Sequence, residues 1–197
     1  MKIKKIRVKQ LLKLNLLKLK VYEQSVKKTK LNDFVDSNLN QIIVNIKKAL
    51  QIIFQYHKAE KRILFIGLPD KLEQKVNQLT KHVSVPKNFD IQGMISNFNP
   101  KFLLKSENFN QACSKKFSKF LLPKFSKKLD LIVLFDHEKS EGILSESRIS
   151  KIPVISFGNH NFSELPLYTV EGNFKNMLMG YDKTILSIGL NFLFKKK

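Results

Sequence analysis

Arg62-Ile63-Leu64-Phe65-Ile66-Gly67 is the stretch on which the reading of the fold turns. It is β-branched and aromatic, shows no alternation with polar residues, and stops at a glycine. A strand covered on both faces has no reason to alternate, so this run predicts a buried strand of a parallel sheet. Outward on its N-terminal side, Leu39, Ile42, Ile43, Ile46, Ala49, Leu50, Ile53 and Phe54 recur at helical spacing. They predict a helix over Asn38–His57, with Ser37 or Asn38 as its N-cap. On the C-terminal side, Asp70 is placed to cap a second helix with Glu73 three residues on, and Leu72, Val76 and Leu79 form its apolar face. His82-Val83-Ser84-Val85, stopped by Pro86, predicts a short strand.

The pattern resumes further on. Leu129-Asp130-Leu131-Ile132-Val133-Leu134-Phe135-Asp136 is a second buried strand, followed by a weak helix to Ser150. Ile152-Pro153-Val154-Ile155-Ser156-Phe157-Gly158 is a third, and Leu167-Tyr168-Thr169-Val170 a short fourth. A closing helix is expected from about Asn173 to Phe194. Strands alternating with helices predict an α/β fold, a parallel sheet flanked by helices. Between Asn97 and Lys128 the alternation breaks, with Phe and Lys interleaved and Pro100 and Pro123 as breakers. This reads as a helical insertion with phenylalanines inward and lysines outward, although the same interleaving suits stacking on single-stranded nucleic acid. The chain divides into a basic arm (1–36), a first half of the α/β domain (37–99), a basic helical insertion (100–128) and a second half with a C-terminal helix (129–197).

The 197 residues carry 36 Lys+Arg against 16 Asp+Glu, a net charge of +20. A charge of that size is a statement about partners. It favours a polyanion, with nucleic acid first and an anionic membrane surface second. The single cysteine, Cys113, excludes an internal disulfide framework and a cysteine-cluster zinc site. No run of eighteen uncharged apolar residues is present, so no bilayer-spanning segment is expected. Thirty-three lysines against three arginines, with sixteen asparagines and three alanines, point to an A/T-rich genome. Such bias favours lysine over arginine but does not deplete acids, so the basic excess reads as functional.

The charge is unevenly placed. Met1 to Tyr22 holds eight basic residues and no acid, and Lys101 to Lys128 holds eight lysines and one acid, Glu107. From Leu129 to Gly172 the sign reverses, with seven acids and three bases. The N-terminal run admits three readings: an organellar targeting peptide, a membrane-surface helix, or a basic arm packed partly on the body and partly on nucleic acid. Its scarcity of Ser and Arg, and its lack of Trp and Phe anchors, favour the third.

A parallel sheet binds ligands at the carboxyl ends of its strands, so enzyme chemistry is tested there. The loop Gly67-Leu68-Pro69-Asp70-Lys71 fits neither the dinucleotide fingerprint nor a phosphate-cradling loop. Asp136-His137-Glu138 could hold a divalent metal or act in acid–base chemistry, but adjacent residues diverge in direction, and a solvated turn is the preferred reading. His57, His82 and His160 lie in separate segments, with only His160 at a comparable strand end. There is no G-x-S-x-G elbow, and Cys113 has no base nearby in sequence. No enzymatic activity, cofactor, metal or small-molecule substrate is expected.

Four segments in register, Ile63 to Gly67, Gln92 to Phe98, Asp130 to Val154 and Gly172-Asn173, together resemble the small-subunit ribosomal protein S-two family (universal name uS-two). Ile63-Leu64-Phe65-Ile66-Gly67 is similar to the family's I-L-F-V-G strand. Gln92-Gly93-Met94-Ile95-Ser96-Asn97-Phe98 resembles its G-G-M-L-T-N-aromatic segment. Asp130 to Asp136, then Glu146, then Ile152-Pro153-Val154, resembles its strand, helix and G-I-P-V strand. Gly172-Asn173 sits where the family has P-G-N. Phe89-Asp90-Ile91 and Leu68-Pro69 stand where the family has Arg-Trp-Leu and Thr-Lys, and the insertion is shortened, as suits a diverged mitochondrial member.

The resemblance implies a flavodoxin-like body with a helical insertion and no catalytic activity. It also implies a place in the small ribosomal subunit of the mitochondrial matrix (or of the cytoplasm or plastid of an A/T-rich organism). The partners it implies are ribosomal RNA and neighbouring ribosomal proteins, with no membrane. Phosphate contacts are assigned to Lys2, Lys4, Lys5, Arg7 and Lys9, to Gly93 and Asn97, and to Lys101, Lys105, Lys115, Lys116, Lys119, Lys124, Lys127 and Lys128. Such contacts neutralise phosphates, release counterions and read little sequence. The rival reading is a basic α/β nucleotide-binding protein or enzyme with its site near Gly67, Asp136 and Gly158. A second rival is a peripheral membrane protein using residues 1–20.

Overall fold

Strands too apolar to face water on either side need cover on both, and that requirement organises the molecule. The computed structural model describes residues 14, 16, 31–86, 93–96, 128–135, 140–158, 166–172, 174, 188–190, 192 and 194. In chain order these contain helix α1 (Leu31–Lys58), strand β1 (Ile63–Ile66), helix α2 (Asp70–Leu79), β2 (Val83–Val85), β3 (Leu131–Phe135), α3 (Ser140–Ile149), β4 (Val154–Phe157) and β5 (Tyr168–Val170). The strands form one sheet in the order β2-β1-β3-β4-β5, with every neighbouring pair parallel. This is the doubly wound, flavodoxin-like order, with its switch point between β1 and β3. The α/β expectation therefore holds, and the short strand before Pro86 is real.

Alternation along each strand divides the core in two. Ile63, Phe65, Leu131, Val133, Phe135, Ile155, Phe157 and Val170 face α1 and α2, meeting Leu39, Ile43, Ile46 and Ile53 of the first and Leu72 and Val76 of the second. Leu64, Ile66, Val83, Val85, Ile132, Leu134 and Val154 face the other way, against Ile143 and Leu144 of α3 and against Met94 and Ile95. Phe135 and Phe157 stack 4.8 Å apart, and Phe174 meets Phe157 edge-on. Leu16 is helical and fully buried in the first core, whereas Leu14 is helical and exposed.

Three local expectations are corrected. Helix α1 does not begin at Ser37 or Asn38 but at Leu31. Leu31, Phe34 and Val35 continue the helical spacing into Leu39 and Ile42, and a sustained apolar period outweighs two residues that are good caps but tolerable inside a helix. Asp70 does not cap α2. Pro69, at φ −58°, occupies the cap position, and its carbonyl accepts the amides of Leu72 and Glu73. Proline's preset φ suits this helix start, so Asp70 becomes the first helical residue instead. Phe174 is not helical, so it falls outside the closing helix expected from about Asn173, most of whose length lies outside the described residues. Residues 188–190 and 192 are helical, and Gly189 packs on Leu50 so closely that a Cβ there would lie 2.7 Å from Leu50 Cδ1.

Helices α1 and α3 end alike. Glu60 and Lys151 both adopt left-handed φ, at 56° and 55°. In each, the following amide bonds back five residues (Lys61 to Tyr56, Ile152 to Ser147) and the residue's own amide bonds back three. These are Schellman closures built without glycine.

Candidate nucleic-acid interface

The sequence assigns phosphate contact to three regions. Lys2, Lys4, Lys5, Arg7, Lys9, Asn97, Lys101, Lys105, Lys115, Lys116, Lys119, Lys124 and Lys127 lie outside the described residues, as do Asp136-His137-Glu138, Cys113 and His160. Gly93 and Lys128 are described. Lys128 is exposed immediately before β3. The chain behind it is anchored: Asp130 Oδ2 accepts the Arg62 amide at 2.8 Å, and the Asp130 amide donates to the Arg62 carbonyl at 2.9 Å. Lys128 therefore stands at the starting edge of the sheet, next to the paired β1 and β3.

Gly93 opens the turn at residues 93–96, which leads toward the insertion. Its φ is +79°, and a Cβ built there would meet nothing within 4 Å. Glycine is explained here by backbone conformation, not by a close approach within the chain. The Gly93 amide donates to Glu146 Oε1, and the Ile95 amide to Glu146 Oε2 at 3.2 Å. One carboxylate of α3 thus grips two amides of a turn more than fifty residues away, while Met94 and Ile95 sink into the second core. A phosphate arriving at Gly93 finds that amide already taken, so any contact there runs through other atoms of the turn.

At the carboxyl ends of the strands, Gly67 has φ +81°, and a Cβ there would lie 2.6 Å from the Phe135 carbonyl oxygen. The space is filled by the neighbouring strand, not left for a ligand. Nearby, Glu73 in the first turn of α2 is buried, and its carboxyl is pushed up to about 7 by burial and then by Asp70. Among the described residues no three His, Cys, Asp or Glu groups converge on a metal position, and no helix is long and apolar enough to cross a membrane.

Two histidines kept apart by the sequence meet. His57, at the end of α1, and His82, just before β2, place Nδ1 and Nε2 2.8 Å apart. The Ile63 amide donates to His82 Nδ1 at 3.3 Å, so the His82 proton sits on Nε2 and is donated to His57. Phe65 and Phe194 close around the pair, with ring centroids 5.5–6.2 Å from the imidazoles they face. The cluster lies at the amino ends of the strands, opposite the edge where α/β sites form. It ties α1, β1 and the C-terminal segment together.

Sequence reasoning missed this pair, the Glu146 clasp and a third device on the sheet edge. Asn77 of α2 donates through Nδ2 to the Ser84 carbonyl and accepts the Ser84 amide at Oδ1, both at 2.8 Å. It occupies the outer side of edge strand β2 as a further strand would. The available signal for it was an amide residue one turn before the end of a helix that leads into a strand. No protein-family model matches the chain, and no curated protein is significantly similar to it.

Proposed function

We propose that this chain is a structural protein of the small ribosomal subunit, of the S-two type and serving mitochondrial translation. It binds ribosomal RNA through lysine–phosphate contacts and packs against neighbouring ribosomal proteins. The observation that carries the reading is the Glu146 clasp. Two segments singled out by the resemblance, Gln92 to Phe98 and the helix holding Glu146, lie far apart in sequence and touch in the fold through the Gly93 and Ile95 amides. The order β2-β1-β3-β4-β5 and the charge of +20 support it further. Fields of that size draw polyanions from a distance and are weakened by salt. Function in this reading is adhesion: a rigid α/β body presents lysine-rich segments to folded RNA.

The deciding experiment is sucrose-gradient sedimentation of a native lysate at low and high salt, with the chain followed by mass spectrometry. It is expected to travel with the small subunit and to leave it only at high salt. Migration at the top of the gradient at low salt sinks the proposal. The nucleotide-binding or enzyme alternative has one observation in its favour, the buried Glu73 in the first turn of α2, whose carboxyl is pushed up to about 7. Saturable binding of a nucleotide to the purified chain, abolished by Glu73→Gln, is the result that would restore it.

A further inference from the structure

The solvent face of α1 is a second basic surface, one that neither the N-terminal run nor the insertion supplies. Lys47, Gln51, Phe54 and Lys58 recur every three to four residues and so lie in one stripe, with Lys48 and Gln55 beside it. All six are exposed. From Ser37 to Ala59 the sequence contains no acid. The next residue, Glu60, is held by Lys81 at 3.0 Å, and its carboxyl stays below the ordinary range through that bond. Phe54 belongs by its spacing to the apolar set of the helix, yet 45% of its surface is exposed. The opposite side of α1, through Leu39, Ile46 and Ile53, is buried in the first core, so the stripe is fixed in place.

We infer that this face of α1 is an RNA-binding surface, with Lys47, Lys48 and Lys58 on phosphates and Phe54 stacking on an unpaired base. The inference rests on the ribosomal RNA-binding reading and extends it to an element to which that reading assigned nothing. A stripe of lysines alone suits any polyanion, acidic protein included. The exposed ring set among lysines and glutamine amides selects single-stranded RNA, because bases offer π-faces to stack on and amides bond base edges and phosphates. From Lys47 to Lys58 the helix rises about 16 Å, enough to follow several phosphates of one strand.

The test uses the full chain and fluorescence anisotropy with two probes, an oligouridine and a fully paired RNA hairpin, across a salt series. Circular dichroism checks the fold of each variant. The triple variant Lys47→Gln, Lys48→Gln, Lys58→Gln is expected to lower the slope of log affinity against log salt by about 2 on the oligouridine. Phe54→Ala is expected to weaken oligouridine binding by about 5- to 150-fold and leave the hairpin unchanged. If wild type binds with strong salt dependence and both variants match it, the α1 surface is overturned while the RNA-binding reading of the chain stands. If wild type binds neither probe at low salt, both fall. A triple variant that keeps both RNA affinities but leaves the small subunit in a gradient reassigns the face to an acidic protein and overturns the inference.

Discussion

Two glycines with nearly the same φ have different reasons to be glycine, and substitution separates them. At Gly67 (φ +81°) a methyl group would strike the Phe135 carbonyl oxygen, so Gly67→Ala combines left-handed strain with overlap and is expected to cost about 2–4 kcal/mol. At Gly93 (φ +79°) the space is open, and Gly93→Ala is expected to cost only about 1 kcal/mol. Urea midpoints of the two variants check the ordering; equal losses would contradict it. Glu73 is a third case, set by burial. Its folded carboxyl titrates near 7, above the ordinary 4.5, so the folded state holds a proton that the unfolded chain releases earlier. The associated stability is full below 4.5 and is lost as pH rises toward 7. Glu73→Gln is expected to remove that decline and to exceed wild type at pH 8 by up to about 3 kcal/mol. Denaturation at pH 4 and pH 8 measures it, and a variant that tracks wild type at both values refutes it.

At the scale of elements, the edge strand and the helix ends decide stability. Strand β2 has only three residues and, among the described residues, one neighbouring strand. Its free side is closed by Asn77, so Asn77→Ala leaves a buried amide and carbonyl of Ser84 without these partners. The expected loss is about 2–4 kcal/mol, with faster hydrogen exchange at the Ser84 amide, which a merely space-filling role for Asn77 would not produce. The Schellman closure of α3 runs through Lys151 at φ 55°. Lys151→Gly is expected to stabilise the protein by about 1 kcal/mol, because glycine adopts that conformation without the Cβ penalty; a lower thermal midpoint would count against it. These ends were illegible in the sequence for one reason: the usual signal is glycine, and the chain has only seven. The Ser37 or Asn38 cap failed differently, since good cap residues are also tolerable within a helix when the apolar period runs on toward Leu31.

At the scale of the whole molecule, the strands and the charge were legible before any coordinates. A strand buried on both faces must be apolar throughout, so Ile63–Ile66, Leu131–Phe135 and Val154–Phe157 announce themselves. A net charge of +20 is a sum over residues and needs no fold. Contacts between distant segments were not legible. His57 with His82, Glu146 with Gly93, and Gly189 with Leu50 leave no periodic trace, because each depends on how the crossovers place α1, α3 and the C-terminal segment around the sheet. The exposure of Phe54 belongs to the same class: its spacing marks it as core, yet the sheet and the C-terminal segment cover only part of the apolar band of α1. Residue identity alone settles the element types of the described strands and helices and the net charge of +20, since local burial and total charge follow from it. The strand order, the clasp on the Gly93 turn and the basic face of α1 come from the fold alone, since these arise where segments far apart in the chain compete for the same surface.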